Sequence, residues 1–140
     1  MKSIKLIHIV VILAGSLFLA ACAPGAVPLE DTKWVLTSYG VSGDVKTVLP
    51  DTQTTALFDS EKKEVTGSAG CNTYFASYEV DDLNLAIPGP IAVTEMWCGD
   101  EIGEQERIYL EALQAADSYR VENGSMIINC GNQMLYFERR

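Results

Sequence analysis

YRVENGSMIINCGNQMLYF, residues 119 to 137, carries two turn dipeptides that together set the register of three strands. Asn123-Gly124 suits a two-residue type I′ hairpin, in which both turn residues take positive φ. That turn places Val121 opposite Met126 and Tyr119 opposite Ile128, all on one face. A second two-residue turn at Gly131-Asn132 places Ile128 opposite Leu135 and Met126 opposite Phe137, on the same face again. A slip of one residue would send every apolar side chain to the other side, so agreement between two independent turns constrains the pairing strongly. Arg120, Glu122, Ser125, Asn129 and Glu138 take the opposite face, and Ile127, Met134 and Tyr136 join them there, so this face is expected to be partly covered. The reading is an antiparallel meander.

Upstream, apolar residues mostly recur with period two. Trp34 to Tyr39, Thr55 to Phe58, Glu64 to Thr66, Tyr74 to Tyr78, Leu83 to Ile87 and Ile91 to Thr94 are short strand candidates separated by Gly, Pro, Asn or Asp. One segment breaks the period. From Glu101 to Asp117 the apolar residues Ile102, Tyr109, Leu113 and Ala116 fall on one helical face, with Ile108 and Ala112 beside them. This predicts an amphipathic helix over about 101–117, with Asp100 as N-cap and acids in the first turn. The fold class is mainly β: a small antiparallel barrel-like or strongly curved sheet whose open side the helix covers.

The start of the chain has another character. Lys2 and Lys5 precede an apolar run from Leu6 to Leu19, and Ala20-Ala21-Cys22 follows: a charged region, a hydrophobic region and a small-residue cleavage site. The run is shorter than the roughly 20 residues of a spanning helix. Leu19-Ala20-Ala21-Cys22 is similar to the lipobox of bacterial lipoproteins, whose cysteine is acylated and becomes the first mature residue. Residues 1–21 are therefore read as a lipoprotein signal peptide, with an uncleaved anchor or an ordinary secretory signal as alternatives. Residues 22–31, with Pro24, Gly25 and Pro28, are read as a lipidated tether, and 32–140 as the folded domain. The expected place is extracytoplasmic, on a membrane of the bacterial cell envelope.

Removing the signal takes away two lysines and no acid, leaving 8 basic residues against 19 acidic ones, a net charge of −11. Such a surface repels phosphate backbones, so nucleic-acid binding is disfavoured. His8, the sole histidine, leaves with the signal. Without it the mature chain has no Ser-His, Cys-His or His-metal arrangement to use.

Of the cysteines, Cys22 is assigned to lipid, which leaves Cys71, Cys98 and Cys130. An extracytoplasmic compartment permits pairing, and a Cys71–Cys98 bridge would be worth roughly 3.5 kcal/mol in the chain-entropy description. Cys130 lies on the inward face of the meander and is expected to be a buried, inert thiol; pairings of Cys71 or Cys98 with Cys130 remain open. Cys71 sits within GSAGCNTY, residues 67 to 74. A phosphate loop would open a helix, but here a strand follows. A catalytic cysteine would want a basic neighbour, which the local sequence lacks, and three cysteines without CxxC spacing make a weak zinc site. The remaining reading is a tight bend at a barrel corner, permitted by Gly67 and Gly70, with Asn72 bonding the backbone of that bend.

Gly67, Gly70-Cys71-Asn72, a Tyr-rich strand, Thr94-Glu95-Met96-Trp97-Cys98 and the run Glu106 to Leu113 before a terminal hairpin resemble the META domain, the HslJ-like family of bacterial proteins. Trp34-Val35-Leu36 matches that domain's opening strand, and the resemblance spans about Thr32 to Phe137. Many members have Ala before the second cysteine, where this chain has Trp97. The resemblance implies a mostly antiparallel, barrel-like domain with a helix in a secreted or lipid-anchored protein. It also implies an association with envelope stress and antibiotic tolerance, with no shared catalytic residues. Gly67, Gly70, Cys71, Asn72, Thr94, Met96 and Cys98 are then a structural signature.

The expected function is that of a non-enzymatic, lipid-anchored cell-envelope protein without cofactor or metal. Its expected partners are the membrane, through the lipid, and another envelope component. The alternative is an extracytoplasmic binding module for a small hydrophobic ligand, or an inhibitor of a hydrolase. An enzyme would have to draw on Asp81, Asp82, Glu95 and Asp100. A filled interior supports the first reading, a large apolar cavity the second, and two inward carboxylates in a cleft the third.

Overall fold

The computed structural model describes residues 27–140; the signal segment 1–21, Cys22 and the first residues of the tether lie outside the described residues. The strands are β1 (Lys33–Val41), β2 (Asp44–Thr47), β3 (Thr55–Asp59), β4 (Glu64–Ser68), β5 (Thr73–Ser77), β6 (Glu79–Asp81), β7 (Asn84–Ala86) and β8 (Ala92–Val93). After the helix α1 (Asp100–Gln114) come β9 (Ser118–Glu122), β10 (Ser125–Cys130) and β11 (Gln133–Arg139). All pair antiparallel in one sheet of order β6-β7-β9-β10-β11-β1-β3-β4-β5-β8, with β2 added to β1.

Chain continuity forces this sheet to curl. β5 and β6 stand near opposite ends of the strand order, yet only Tyr78 separates them. The two ends must therefore come round to one place. Tyr78 holds that place: its amide donates to the Lys63 carbonyl, and its hydroxyl donates to Glu30 and to the Asp59 carbonyl.

The meander has the register read from its turns. Val121 faces Met126, Tyr119 faces Ile128, Ile128 faces Leu135 and Met126 faces Phe137. Asn123 and Gly124 both take positive φ, 52° and 83°, as the type I′ turn requires. The inner face of the meander, Met126, Ile128, Leu135 and Phe137, is fully buried together with Trp34, Phe58, Tyr74 and Tyr109. Burying side chains of this size contributes roughly 1.5–3 kcal/mol each, which makes this the main source of stability.

Three boundaries differ from the sequence reading. The helix ends at Gln114 rather than Asp117, because the Asp117 amide donates to the Asn129 carbonyl and so belongs to the sheet. Its N-cap is Gly99, not Asp100; no side chain caps it, and Asp100 and Glu101 instead place negative charge in the first turn. The fold also takes in residues assigned to the tether. Leu29 is buried and receives the Trp34 indole N–H on its carbonyl at 2.9 Å, and Glu30 bridges to Phe58. A tryptophan sealed in the core needs an acceptor for its N–H, and the preceding segment supplies it. β2 and β6 are strands that the period-two reading passed over, since β2 is exposed throughout and β6 nearly so.

Candidate functional site

The connection from β4 to β5 forms the corner that GSAGCNTY encodes. Gly67 pairs with Tyr74 and Ser68 with Thr73, so the turn proper is Ala69 to Asn72. Proximity, not bending, requires glycine at Gly67: a Cβ there would run into the Thr55 carbonyl oxygen of β3. Gly70 is the bend, with φ of 114°. The bend satisfies its own backbone, since the Ala69 amide donates to the Asn72 carbonyl at 2.7 Å and the Gly70 amide to Ser68 Oγ at 3.2 Å.

Asn72 is therefore free to reach elsewhere, contrary to the expectation that its side chain closes the bend. Its Nδ2 donates to the Met96 carbonyl at 3.1 Å and to the Glu106 carboxylate at 2.7 Å. Its Oδ1 accepts from the Thr94 hydroxyl at 2.9 Å and the Met96 amide at 2.7 Å. The Asn72 amide donates to the second Glu106 oxygen, also at 2.7 Å. A buried amide with every donor and acceptor used welds three segments: the corner, the Thr94–Met96 loop and α1.

Sulfur adds a covalent tie. Cys71 is bonded to Cys98 with Cα atoms 5.9 Å apart, inside the usual range, while Cys130 is free and buried. Burial pushes the Cys130 thiol up to about 12, with the Asp117 carboxylate nearby adding to the shift, so at neutral pH it is not a nucleophile. The structure thus gathers all seven motif residues, Gly67, Gly70, Cys71, Asn72, Thr94, Met96 and Cys98, at one end of the sheet. Met96 takes part through its backbone; its side chain is 60% exposed, and Trp97 beside it is 84% exposed.

Under the corner lies a small polar layer that sequence reasoning missed. Gln105 is buried on α1, where its Oε1 accepts from the Leu49 amide at 2.7 Å and its Nε2 donates to Thr52 Oγ1 at 3.1 Å. The signal was available: Gln105 follows Ile102 by three residues on the predicted apolar face, and a glutamine there implies an internal partner. Glu106 was matched only as part of the helix. Nearby, the Tyr74 hydroxyl donates to the Thr55 carbonyl and shares a 2.7 Å hydrogen bond with the Tyr109 hydroxyl; burial raises the pKa of both well above the ordinary range.

The four carboxylates an enzyme would use are all exposed and fall on different segments: Asp81 and Asp82 at the β6–β7 turn, Glu95 and Asp100 on either side of Cys98. Among the described residues no three His, Cys, Asp or Glu side chains are grouped to hold a metal. The surface grooves are open, one of about 400 Å³ being lined by Tyr39, Leu49 and Ile108 together with Lys46, Asp100 and Glu101.

The sequence model of the META domain matches residues 27–140. The chain belongs to the META domain family. A protein from Burkholderia xenovorans, solved by NMR, is 28% identical with a TM-score of 0.69, covering 86% of this chain and 93% of that one. A second NMR structure is 21% identical with a TM-score of 0.62, covering 80% of this chain and 94% of its own. A DUF4847 family protein from Bacteroides vulgatus ATCC 8482, solved by crystallography, is 13% identical with a TM-score of 0.55 over 79% of this chain and 93% of its own. The last two share the fold alone. No curated protein sequence matches this chain. In this META domain the signature motif is a joint: its cysteines and asparagine fasten the β8–α1 loop to the β4–β5 corner.

Proposed function

We propose that this chain is a non-enzymatic, lipid-anchored protein of the bacterial cell envelope whose META domain acts by contact with other envelope components. The observation that carries this reading is the division of labour at the corner. Asn72, Thr94 and Glu106 are consumed in internal hydrogen bonds, whereas Trp97 faces solvent. Nothing polar in the motif is left over to act on a substrate, and the interior, where a small-molecule barrel would be hollow, is filled by Trp34, Phe58, Tyr74, Tyr109 and Phe137. A hydrophobic ligand would have to use a surface groove.

The anchor is read from Leu19-Ala20-Ala21-Cys22. Mass spectrometry of the chain isolated from its own cells should find Cys22 N-terminal and acylated, and Cys22→Ser should move the protein out of the membrane fraction. An unacylated, soluble unmutated protein would overturn the anchor. Loss of the protein should change survival under envelope stress or antibiotic challenge, and the Cys22→Ser chain should fail to restore it.

A further inference from the structure

Trp97 is the most exposed large apolar side chain among the described residues, and Met96 is the next. They sit on a loop whose backbone is not free to move. The Cys71–Cys98 bond holds one side, and Asn72 holds the Met96 amide and carbonyl on the other. Trp97 and Met96 are consecutive, so the exposed apolar surface is one patch on a fixed loop rather than a scattered single residue, and covering it would remove that surface from water. For a partner it is an efficient anchor, because the entropy of ordering the loop has already been lost on folding.

Charge indicates what covers it. Glu95, Asp100 and Glu101 flank the pair, and from Glu64 to Glu106 the chain contains no Lys, Arg or His. Arg107, the next cation along the helix, is bound by Glu104 and Glu111. The carboxylates that neighbour Trp97 in the chain, Glu95, Asp100 and Glu101, are exposed and outnumber Lys46, the cation that shares a groove with Asp100 and Glu101, which favours a guanidinium or ammonium stacked on the ring and opposes an anionic surface. Position argues in the same direction. The chain enters the sheet where Glu30 pairs with Lys63 and the Arg140 amide donates to the Lys33 carbonyl. β4 runs away from that end, from Glu64 to Ser68, and the Met96–Trp97 loop lies beyond its far end. On a tethered protein the loop faces away from the entry point of the tether.

We propose that the Met96–Trp97 loop is a docking surface for a protein segment in which Arg or Lys alternates with apolar residues, Trp97 being the anchor and Glu95, Asp100 and Glu101 the charge complement. This rests on the reading of the domain as one that acts by contact, and it is independent of the acyl group on Cys22.

The probe is a fluorescein-labelled peptide of alternating arginine and valine, with a glutamate-and-valine peptide as control, titrated into the purified full chain in non-ionic detergent and followed by anisotropy. The arginine peptide should bind and the glutamate peptide should not. Trp97→Ala should weaken binding by roughly thirtyfold, the scale of an aromatic hot spot. Glu95→Lys with Glu101→Lys should abolish it, and Asp81→Asn with Asp82→Asn, equally acidic but on another segment, should leave it within about twofold. An unchanged urea midpoint for each variant shows that folding is not the cause. Equal binding by Trp97→Ala overturns the proposal. So does Trp97-dependent self-association of the chain without peptide, or Trp97-dependent binding of the Cys22→Ser chain to anionic vesicles, since either would assign the loop to a different occupant. Failure of acylation at Cys22 would sink the anchor while leaving these outcomes unaffected.

Discussion

Between Tyr119 and Phe137 each strand pairs with the next through a turn of two residues, whereas Asn72 is bonded to Thr94 and Glu106, 22 and 34 residues further along the chain. In the meander, local turn chemistry and a repeated apolar face specify the same pairing twice. In the corner, one side chain and one disulfide connect segments that have no local reason to meet. A local element is robust because each part repeats the information in its neighbour. A long-range joint concentrates that information in single residues, so a single substitution there should cost more.

That contrast can be broken or sharpened by graded damage, read as urea unfolding of the full chain through the buried Trp34. Gly67→Ala should be the most harmful, at about 4 kcal/mol, because the added Cβ meets the main-chain oxygen of Thr55 and no side chain can move aside. Cleavage of the Cys71–Cys98 bond should cost about 3.5 kcal/mol, lowering the melting temperature while the strand pattern still supplies a folded core. Asn72→Ala should cost about 3 kcal/mol, since it strands the Met96 backbone and the Glu106 carboxylate. In the meander, Gly124→Ala should cost only about 1 kcal/mol, from the positive φ of 83°, with the register of β9 and β10 unchanged in backbone amide exchange. If Gly124→Ala proved worse than Asn72→Ala, the distinction between local and long-range specification would fail.

The smallest effect should come from acid. The Lys63 ammonium and the Tyr78 hydroxyl hold the Glu30 carboxyl below its ordinary value of 4.5. A depressed carboxylate contributes stability that is present above its unfolded pKa and is lost as pH falls through the folded one. Stability should therefore decline below pH 4.5, and Glu30→Gln should flatten that decline in a pH series of urea midpoints by lowering the neutral midpoint slightly, by as much as the unmutated chain loses from this group in acid.

How much was legible follows from what each residue touches. Trp34 and Leu36 in β1, or Tyr74, Ala76 and Tyr78 at β5, alternate with less buried neighbours, so period two revealed them, whereas Tyr39 falls out of phase because the register of β1 shifts between Leu36 and Ser38. β2 offered no such contrast because it is exposed along its whole length. Gln105 and Leu29 were hidden for another reason: Gln105 is satisfied by partners far away in sequence, Leu49 and Thr52, and Leu29, though it accepts from Trp34 only five residues on, lies in a segment whose next residue, Glu30, bridges to the distant Phe58 of β3. The cysteine pairing was legible as one of three arithmetical possibilities, and geometry selected it by bringing β8 alongside β5 through Tyr74 and Val93.

By itself the sequence determined the β character of the chain, the register of the meander, the family and the presence of one amphipathic helix. These depend on the side-chain period, on turn residues with restricted φ, and on motifs that are contiguous in the chain. Only the tertiary structure decided that the sheet curls until its ends meet at Tyr78, that Asn72 binds α1 and the Met96 loop instead of its own bend, and that Trp97 is held in the open. Those outcomes depend on which distant groups remain unpaired once the local hydrogen bonds are made, and that remainder becomes known only when the chain has closed on itself.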